Sequence, residues 1–363
     1  MSKLNRIAIL TAGGDAPGMN AVIRAVVKKA ILEYGTDVIG IEDGYEGLVE
    51  NRYRKLGYDD VSGILTLGGT VLGTSNTANP YRYPVKSRNK LEFKDLSRTA
   101  IKNVEKLEID CLVCVGGDGT LTIANRLSKQ GVPIVGIPKT IDNDVRGTEI
   151  AFGFDSAVQI ATEGIDRIHT TAQSHHRVMI VEVMGRTAGW IALHSGIAGG
   201  GDIILMPEIP YDAGTIVEKV RERNEQGRRF SIVVVAEGAR PRGGDIAVKR
   251  MVKESPDPIR LGGIAFALGA QIEMMMETQT RAVVMGHLQR GGSPTPFDRI
   301  LATRLGTQAV DMMQKKKFGY MVGVKGASLI GVPLEEAAKG PRTVPLNHPL
   351  IQAARAIGTC FGD

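Results

Sequence analysis

The chain alternates short apolar runs with stretches in which apolar residues return every three or four positions. Arg6–Thr11 reads as a strand, and Ile23, Val26, Val27, Ala30, Ile31 and Tyr34 then mark one face of a helix. Further strands are predicted at Asp37–Ile41, Cys111–Val115, Pro133–Ile137, Val178–Val183, Asp202–Met206, Ser231–Ala236 and Arg281–Met285. Helical spacing covers Leu121–Lys129, Ala157–Thr170, Ala213–Glu225, Ile264–Glu277 and Arg299–Lys316. Strands that are apolar nearly throughout, joined by helices, imply parallel sheets covered on both faces. The expected fold class is therefore α/β: two Rossmann-like α/β/α lobes with mainly parallel sheets and an active-site cleft between them. The polar, Gly- and Pro-rich stretch Gly238–Arg260 reads as a surface excursion.

Composition narrows the function. At 363 residues the chain has room for about two domains. Glycine supplies 45 of those residues, above the ordinary ~7%, and it falls in clusters at turns, where backbone can approach a ligand. The longest apolar runs, Ile203–Pro207 and Ile232–Ala236, fall far short of the roughly 20 residues that cross a bilayer. The opening Met-Ser-Lys-Leu-Asn-Arg offers no signal-peptide apolar region. Three cysteines give no disulfide framework, and Cys111 and Cys114, three apart in a strand, point to opposite faces and cannot share a metal. A soluble, cytoplasmic protein with no membrane partner is expected. The net charge of +6 suits phosphorylated metabolites, whereas 5% aromatics and a lone basic run at Lys315–Lys317 argue against nucleic acid.

Ligands of open α/β sheets bind beyond the carboxyl ends of strands, and four chemically marked clusters fall at strand ends here. Thr11-Ala-Gly-Gly-Asp15 precedes a helix whose N-terminus can receive an anion. Gly116-Gly-Asp-Gly-Thr120 can cradle phosphates with its amides, and Asp118 can hold Mg²⁺. In Pro138-Lys-Thr-Ile-Asp-Asn-Asp144, an extended segment would turn Asp142 and Asp144 the same way, one as proton acceptor and one as metal partner. Lys139 and Thr140 would then donate to a phosphoryl group, although a loop bonding its own backbone would use the same residue types. The fourth set comprises Met184-Gly-Arg186, Glu237, Arg281 and Gly286–Pro294. Arg186, Arg281, His287 and Arg290 at or just after strand ends make a natural pocket for a sugar phosphate.

Together these motifs resemble the 6-phosphofructokinase family, of the PfkA type, in the family's order and over nearly the whole chain. The Gly-Gly-Asp-Gly-Thr piece alone also resembles NAD and diacylglycerol kinases; the Thr-Ile-Asp-Asn-Asp and His-Leu-Gln-Arg-Gly-Gly pieces are specific. The resemblance implies phosphoryl transfer, with Mg²⁺, to the C1 hydroxyl of fructose 6-phosphate. Asp142 would be the base, and Thr140, Arg186 and Lys139 would serve the phosphoryl group in flight. Gly14, Asn76, Gly117, Asp118, Gly119 and Thr120 would receive the donor, with Asp118, and Asp144 close by, toward the metal. Thr140, Ile141, Asp142, Arg177, Met184, Gly185, Arg186, Glu237, Arg281, His287, Leu288, Gln289 and Arg290 would hold the sugar phosphate. Arg177 and Arg281 would come from a neighbouring subunit, which implies a homo-oligomer, commonly a tetramer. Residues 1–153 with 289–339 would form the donor lobe, and 154–288 with 340–363 the fructose 6-phosphate lobe.

Three departures bear on the donor. Lys139 stands where well-studied bacterial ATP enzymes have Gly, which resembles the pyrophosphate-using and mixed branch. Gly119 stands where pyrophosphate-specific members usually place an Asp that fills the α-phosphate space, so nothing here excludes a nucleotide. Asn76 replaces the Arg that in many relatives bridges donor and acceptor phosphates. ATP is the expected principal donor, with pyrophosphate the alternative. Competing readings fit less well: kinases of other substrates, such as NAD or lipid kinases, lack the Thr-Ile-Asp-Asn-Asp and His-Leu-Gln-Arg-Gly-Gly pairing, and a non-catalytic phosphometabolite sensor would more often have lost one of Asp118, Thr140, Asp142 and Arg186, all present here. Arg24 and Lys28 match basic effector positions, but His169 stands where an Arg is frequent, so regulation by the usual effectors is not implied.

Overall fold

The computed structural model describes residues 4–87, 90–251 and 259–363. In chain order come β1 (Arg6–Thr11), α1 (Met19–Tyr34), β2 (Asp37–Ile41), α2 (Tyr45–Glu50), β3 (Tyr53–Lys55) and the hairpin β4 (Tyr83–Ser87) and β5 (Lys90–Lys94). Next are α3 (Ser97–Lys106), β6 (Cys111–Gly116), α4 (Asp118–Lys129), β7 (Ile134–Pro138) and α5 (Phe154–His175). Then follow β8 (Val178–Val183), α6 (Trp190–Ala198), β9 (Ile203–Leu205), α7 (Ala213–Glu225) and β10 (Ser231–Ala236). The ribbon β11 (Val248–Met251) and β12 (Ile259–Leu261) leads to α8 (Ile264–Met275) and β13 (Thr280–Val284). The chain closes with α9 (Pro296–Gln314), β14 (Tyr320–Lys325), β15 (Ser328–Pro333), α10 (Leu334–Ala337) and α11 (Pro349–Ala356). Residues 4–87 and 90–156 with Arg290–Pro341 form one compact unit; residues 157–251 and 259–289 with Arg342–Asp363 form the other.

The first unit is built on a seven-stranded sheet in the order β15-β14-β7-β6-β1-β2-β3, parallel except for the outermost β3 and β15. Every residue of β6 is buried, as expected for a central strand covered on both sides. Its Cys111, Val113 and Val115 pack with α1 and α9 residues on one face. Leu112 and Cys114 pack on the other with residues of α2, α3 and α4. The two thiols thus face opposite ways, and both are free. Burying each large aliphatic side chain contributes roughly 1.5–3 kcal/mol, so this doubly covered centre is the rigid part on which the turns are mounted.

In the second unit β13-β8-β10-β9 are all parallel. Val178, Ile180, Val233 and Val235 bury one face of that sheet against Ile216, Val217 and Val220 of α7 and Ile264, Leu268 and Ile272 of α8. Of the predicted excursion Gly238–Arg260, residues 252–258 lie outside the described residues; what precedes and follows them pairs as the antiparallel ribbon β11–β12.

The chain enters α5 and α9 through one buried lock in the first unit. Asp298 accepts from the amide of Ser156 (2.9 Å) and its hydroxyl (2.6 Å). Thr295 Oγ1 accepts from Asp298 N and donates to Asp155. Burial pushes the Asp298 carboxyl up to about 6 despite these donors. Asp298 thus caps the start of α5, while Thr295 caps the start of its own helix, α9.

Candidate active site

The strand order of the first unit reverses between β6 and β1: from β1 the chain moves outward to β2, whereas from β6 it moves the other way to β7. Such a switch point leaves a crevice at the carboxyl ends, where ligands bind. Two glycine clusters sit there together, since Thr11 pairs with Val115 and Ala12 N donates to Val115 O at 3.0 Å. The loop holding Asn76 joins them: Gly13 N donates to Ser75 O (3.1 Å), and Thr74 Oγ1 donates to Gly13 O (2.6 Å). Asn76 itself is exposed beside this clasp. Helix α4 begins at Asp118, three residues before the hydrophobic spacing predicted, so Gly117 is its N-cap and Asp118, Gly119 and Thr120 form its first turn. An anion at this turn meets the positive end of the helix. A Cβ on Gly119 would meet no atom within 4 Å, so the space beside it is open.

From the end of β7 comes the third cluster. Lys139 N donates to Gly116 O (3.0 Å), which docks this segment beside the second glycine turn. Lys139 is 3% exposed, and its ammonium donates to the carbonyl of Gly14. Burial, and then the charge of Arg290, lower its pKa to about 8. The segment 140–144 is not extended as expected, because Asn143 takes φ 49°. Asn143 is held there from both ends, its amide donating to Glu149 O and its oxygen accepting from Ala151 N. Asp142 and Asp144 are related instead through Thr140, whose hydroxyl accepts from Asp142 N (3.0 Å) and donates to Asp144 (2.9 Å). Ile141 is buried. Burial, and next the negative charge of Asp118, raise the pKa of Asp144. A carboxylate whose ionisation is disfavoured by a second carboxylate nearby suits a hard divalent cation, and Mg²⁺ commonly takes one or two carboxylates plus phosphate oxygens.

In the second unit Met184–Arg186 follow β8, Glu237 follows β10, and the 3₁₀ turn Gly286–Arg290, whose last residue belongs to the first unit, follows β13. Glu237 N donates to Val183 O, and Gly238 N donates to Gly185 O, so the first two loops are bonded to each other. Gly238 has no alternative: a Cβ there would lie 2.0 Å from the carbonyl oxygen of Arg186. Gln289 is fully buried and accepts from Met184 N at 2.9 Å, so it supports that backbone from beneath instead of presenting its side chain. His287 and Leu288 are exposed. The placement of Arg281 differs from the expectation. It lies at the start of β13, paired with Met179, not beyond its carboxyl end. Arg177 precedes β8 at that same end and donates to Gln279. A strand of this length separates the two arginines from Arg186 and Glu237 by about 15 Å. One chain's second unit does not gather all the expected acceptor residues.

Several supporting groups carried no signal in the spacing. Tyr45, fully buried at the start of α2, donates to Thr120 O at 2.9 Å and props the phosphate turn from below. Asn20 of α1 donates to the carbonyls of Leu67 and Gly68 and accepts from Val71 N, steadying the loop that leads to Asn76. Glu208 accepts from the amides of Gly189 and Val344 and so ties the start of α6 to the C-terminal segment. Among the described residues, no helix is long and apolar enough to cross a membrane, and no three His, Cys, Asp or Glu side chains gather as a metal cage.

A sequence model of the phosphofructokinase family matches residues 6–313. An ATP-dependent 6-phosphofructokinase 2 of Clostridium perfringens is 51% identical over 365 residues, covering 100% of both chains. An ATP-dependent 6-phosphofructokinase of Chloroflexus aurantiacus is 50% identical, covering 100% of this chain and 99% of its own. Among solved structures, Pichia pastoris phosphofructokinase superposes with a TM-score of 0.80 at 32% identity, over 99% of this chain and 37% of that longer one. Glycine turns at the switch point, the Thr140-centred loop and full-length identity near one half agree, and the chain belongs to the phosphofructokinase family.

Proposed function

We propose that this protein transfers the terminal phosphoryl group of ATP to the C1 hydroxyl of fructose 6-phosphate. The observation that carries this reading is the convergence of three turns, 13–15, 116–120 and 139–144, at one sheet's switch point in a chain half identical to ATP-dependent 6-phosphofructokinases. The amides near Gly14, Gly117, Gly119 and Thr120 receive the donor phosphates, with Asn76 beside them. Asp142 takes the proton from the C1 hydroxyl as its oxygen attacks the γ-phosphorus, and the bond to the ADP oxygen breaks. Thr140, Lys139 and Arg186 align the group in transit and place positive charge beside it. Little covalent chemistry is asked of the protein, because phosphoryl transfer is governed by alignment and charge. Asp118, with Asp144, would hold Mg²⁺, which when bound would neutralise charge on the donor oxygens. Glu237 and the Met184–Arg186 backbone hold sugar hydroxyls, and His287, Leu288, Gln289 and Arg290 line or support the phosphate side.

Arg177 and Arg281 complete the acceptor set from a second copy of the chain, because within one copy they lie at the far end of the β8–β13 pair. A homo-oligomer, a tetramer by family resemblance, follows from that need. The donor test compares kcat/KM for ATP and for pyrophosphate at saturating fructose 6-phosphate and Mg²⁺. ATP should lead; pyrophosphate tenfold above ATP would reverse the assignment. Gly119→Asp should then cut ATP use at least about tenfold through like-charge repulsion in the open space beside α4, while sparing pyrophosphate.

A further inference from the structure

The turn after β1 has three successive carbonyls, and each is held by a side chain from elsewhere in the chain. Thr74 Oγ1 donates to Gly13 O at 2.6 Å, Lys139 Nζ donates to Gly14 O, and Arg290 donates to Asp15 O at 2.9 Å. In a trans peptide the N–H of the next residue points opposite to the carbonyl. Anchoring the carbonyls of Gly13 and Gly14 therefore aims the amides of Gly14 and Asp15 the other way, and neither amide donates to another described residue. The guanidinium of Arg290 packs so closely on the turn that a Cβ at Gly14 would come within 2.7 Å of it. Lys139 and Arg290 also repel each other: burial first, and then the charge of Arg290, lower the pKa of Lys139. Two like charges held together on one short turn imply that the turn's conformation matters.

We propose that Arg290 is a positioning residue of the donor turn: together with Lys139 and Thr74 it pins the peptides of 13–15 so that the Gly14 and Asp15 amides face an anionic donor. This role is distinct from holding the sugar phosphate, the part that family resemblance assigns to Arg290. A peptide released from these anchors can rotate and present its carbonyl oxygen, with its partial negative charge, to the phosphates. The guanidinium has five N–H donors in a planar fork, and only one nitrogen serves Asp15, which leaves others for the acceptor. The proposal rests on turn 13–15 being the donor cradle.

The test is calorimetric titration with a non-hydrolysable ATP analogue and Mg²⁺, in the absence of fructose 6-phosphate. Arg290→Ala should bind the analogue about 10–100-fold more weakly than wild type, the range for losing a charge-assisted hydrogen bond. Arg290→Lys, which keeps one cationic donor, should recover most of that affinity, a rescue that a general packing defect would not show. Thermal melts of both variants confirm that the titrated protein is folded, and should Arg290→Ala not fold, Arg290→Met takes its place in the titration. Analogue affinity equal to wild type in the truncated variant, with only the KM for fructose 6-phosphate raised, would confine Arg290 to the acceptor and overturn the proposal. A wild type that binds pyrophosphate but not the analogue would overturn the nucleotide reading itself, and the titration repeated with pyrophosphate would then decide the turn's role by the same comparison.

Discussion

The two units differ in how completely a single chain assembles its part of the reaction. In the first, the turns expected to meet the donor lie at one switch point and are cross-bonded: Gly13 to Ser75 and Thr74, Lys139 to Gly116 and Gly14, Thr140 to Asp142 and Asp144. In the second, Arg186, Glu237 and Gly286–Gln289 crown the carboxyl ends of the strands, while Arg177 and Arg281 stand at the opposite end of the same sheet. The groups expected to meet the donor are backbone amides and buried anchors of a single chain. The acceptor's fixed negative charge calls for arginines, and these are split between two places.

The sharpest test of the first unit's completeness is the base. Asp142→Asn keeps the shape and removes the proton acceptor, so kcat should fall about 10²–10⁴-fold with the donor KM nearly unchanged. A near-normal kcat would show that the Thr140-centred loop positions groups without supplying the base. For the second unit, Arg281→Ala should raise the KM for fructose 6-phosphate about 10–100-fold and leave the donor KM within a few-fold. Co-refolding Arg281→Ala with Asp142→Asn should then yield more activity than either parent contributes, because some sites would carry an intact base beside an intact arginine. No gain on mixing would mean that each chain completes its own site.

The smallest expected effect concerns the anchor under the first unit's turn. Lys139 has a folded pKa near 8, below its unfolded value of 10.5, so its burial penalises the folded protein at pH 7. As pH rises from about 8 towards 10.5 the unfolded chain keeps the proton that the folded one has lost, and this penalty fades. Lys139→Met should therefore melt about 2–5 °C above wild type at pH 7, with the difference shrinking by pH 10. Differential scanning calorimetry at both pH values measures it; a variant equally destabilised at each would show that the bond to Gly14 outweighs the cost of burying the charge.

The sequence revealed the glycine turns because each follows an apolar run with a residue pattern that few other structures use. It revealed less where a contact spans the chain. Arg290 reaches Asp15 across 275 positions, and Tyr45 reaches Thr120 across 75, and neither separation leaves a local signature. The pair β14–β15 also lacked one: it turns through Lys325–Ser328 beside Gly326, and β15 is only partly covered, so its apolar pattern is weak. Reading Asp142 and Asp144 as neighbours on an extended strand failed because Asn143, one residue that tolerates a left-handed φ, breaks the alternation. Arg281 stands at the start of β13, and the two ends of a strand lie at opposite ends of the sheet, so a strand-end position alone does not say which end a residue serves.

The thiols of β6 have a use outside catalysis. Burial raises Cys111 well above the ordinary thiol range and pushes Cys114 up to about 12, so neither offers thiolate to a reagent while the central strand is intact. Cys360 in the second unit is also raised by burial, but it is only partly covered. An alkylating reagent should therefore mark the second unit first, and the first only when its seven-stranded sheet opens. Mass spectrometry of a labelling time course would report how firmly each unit holds together, from three native side chains and without any added probe.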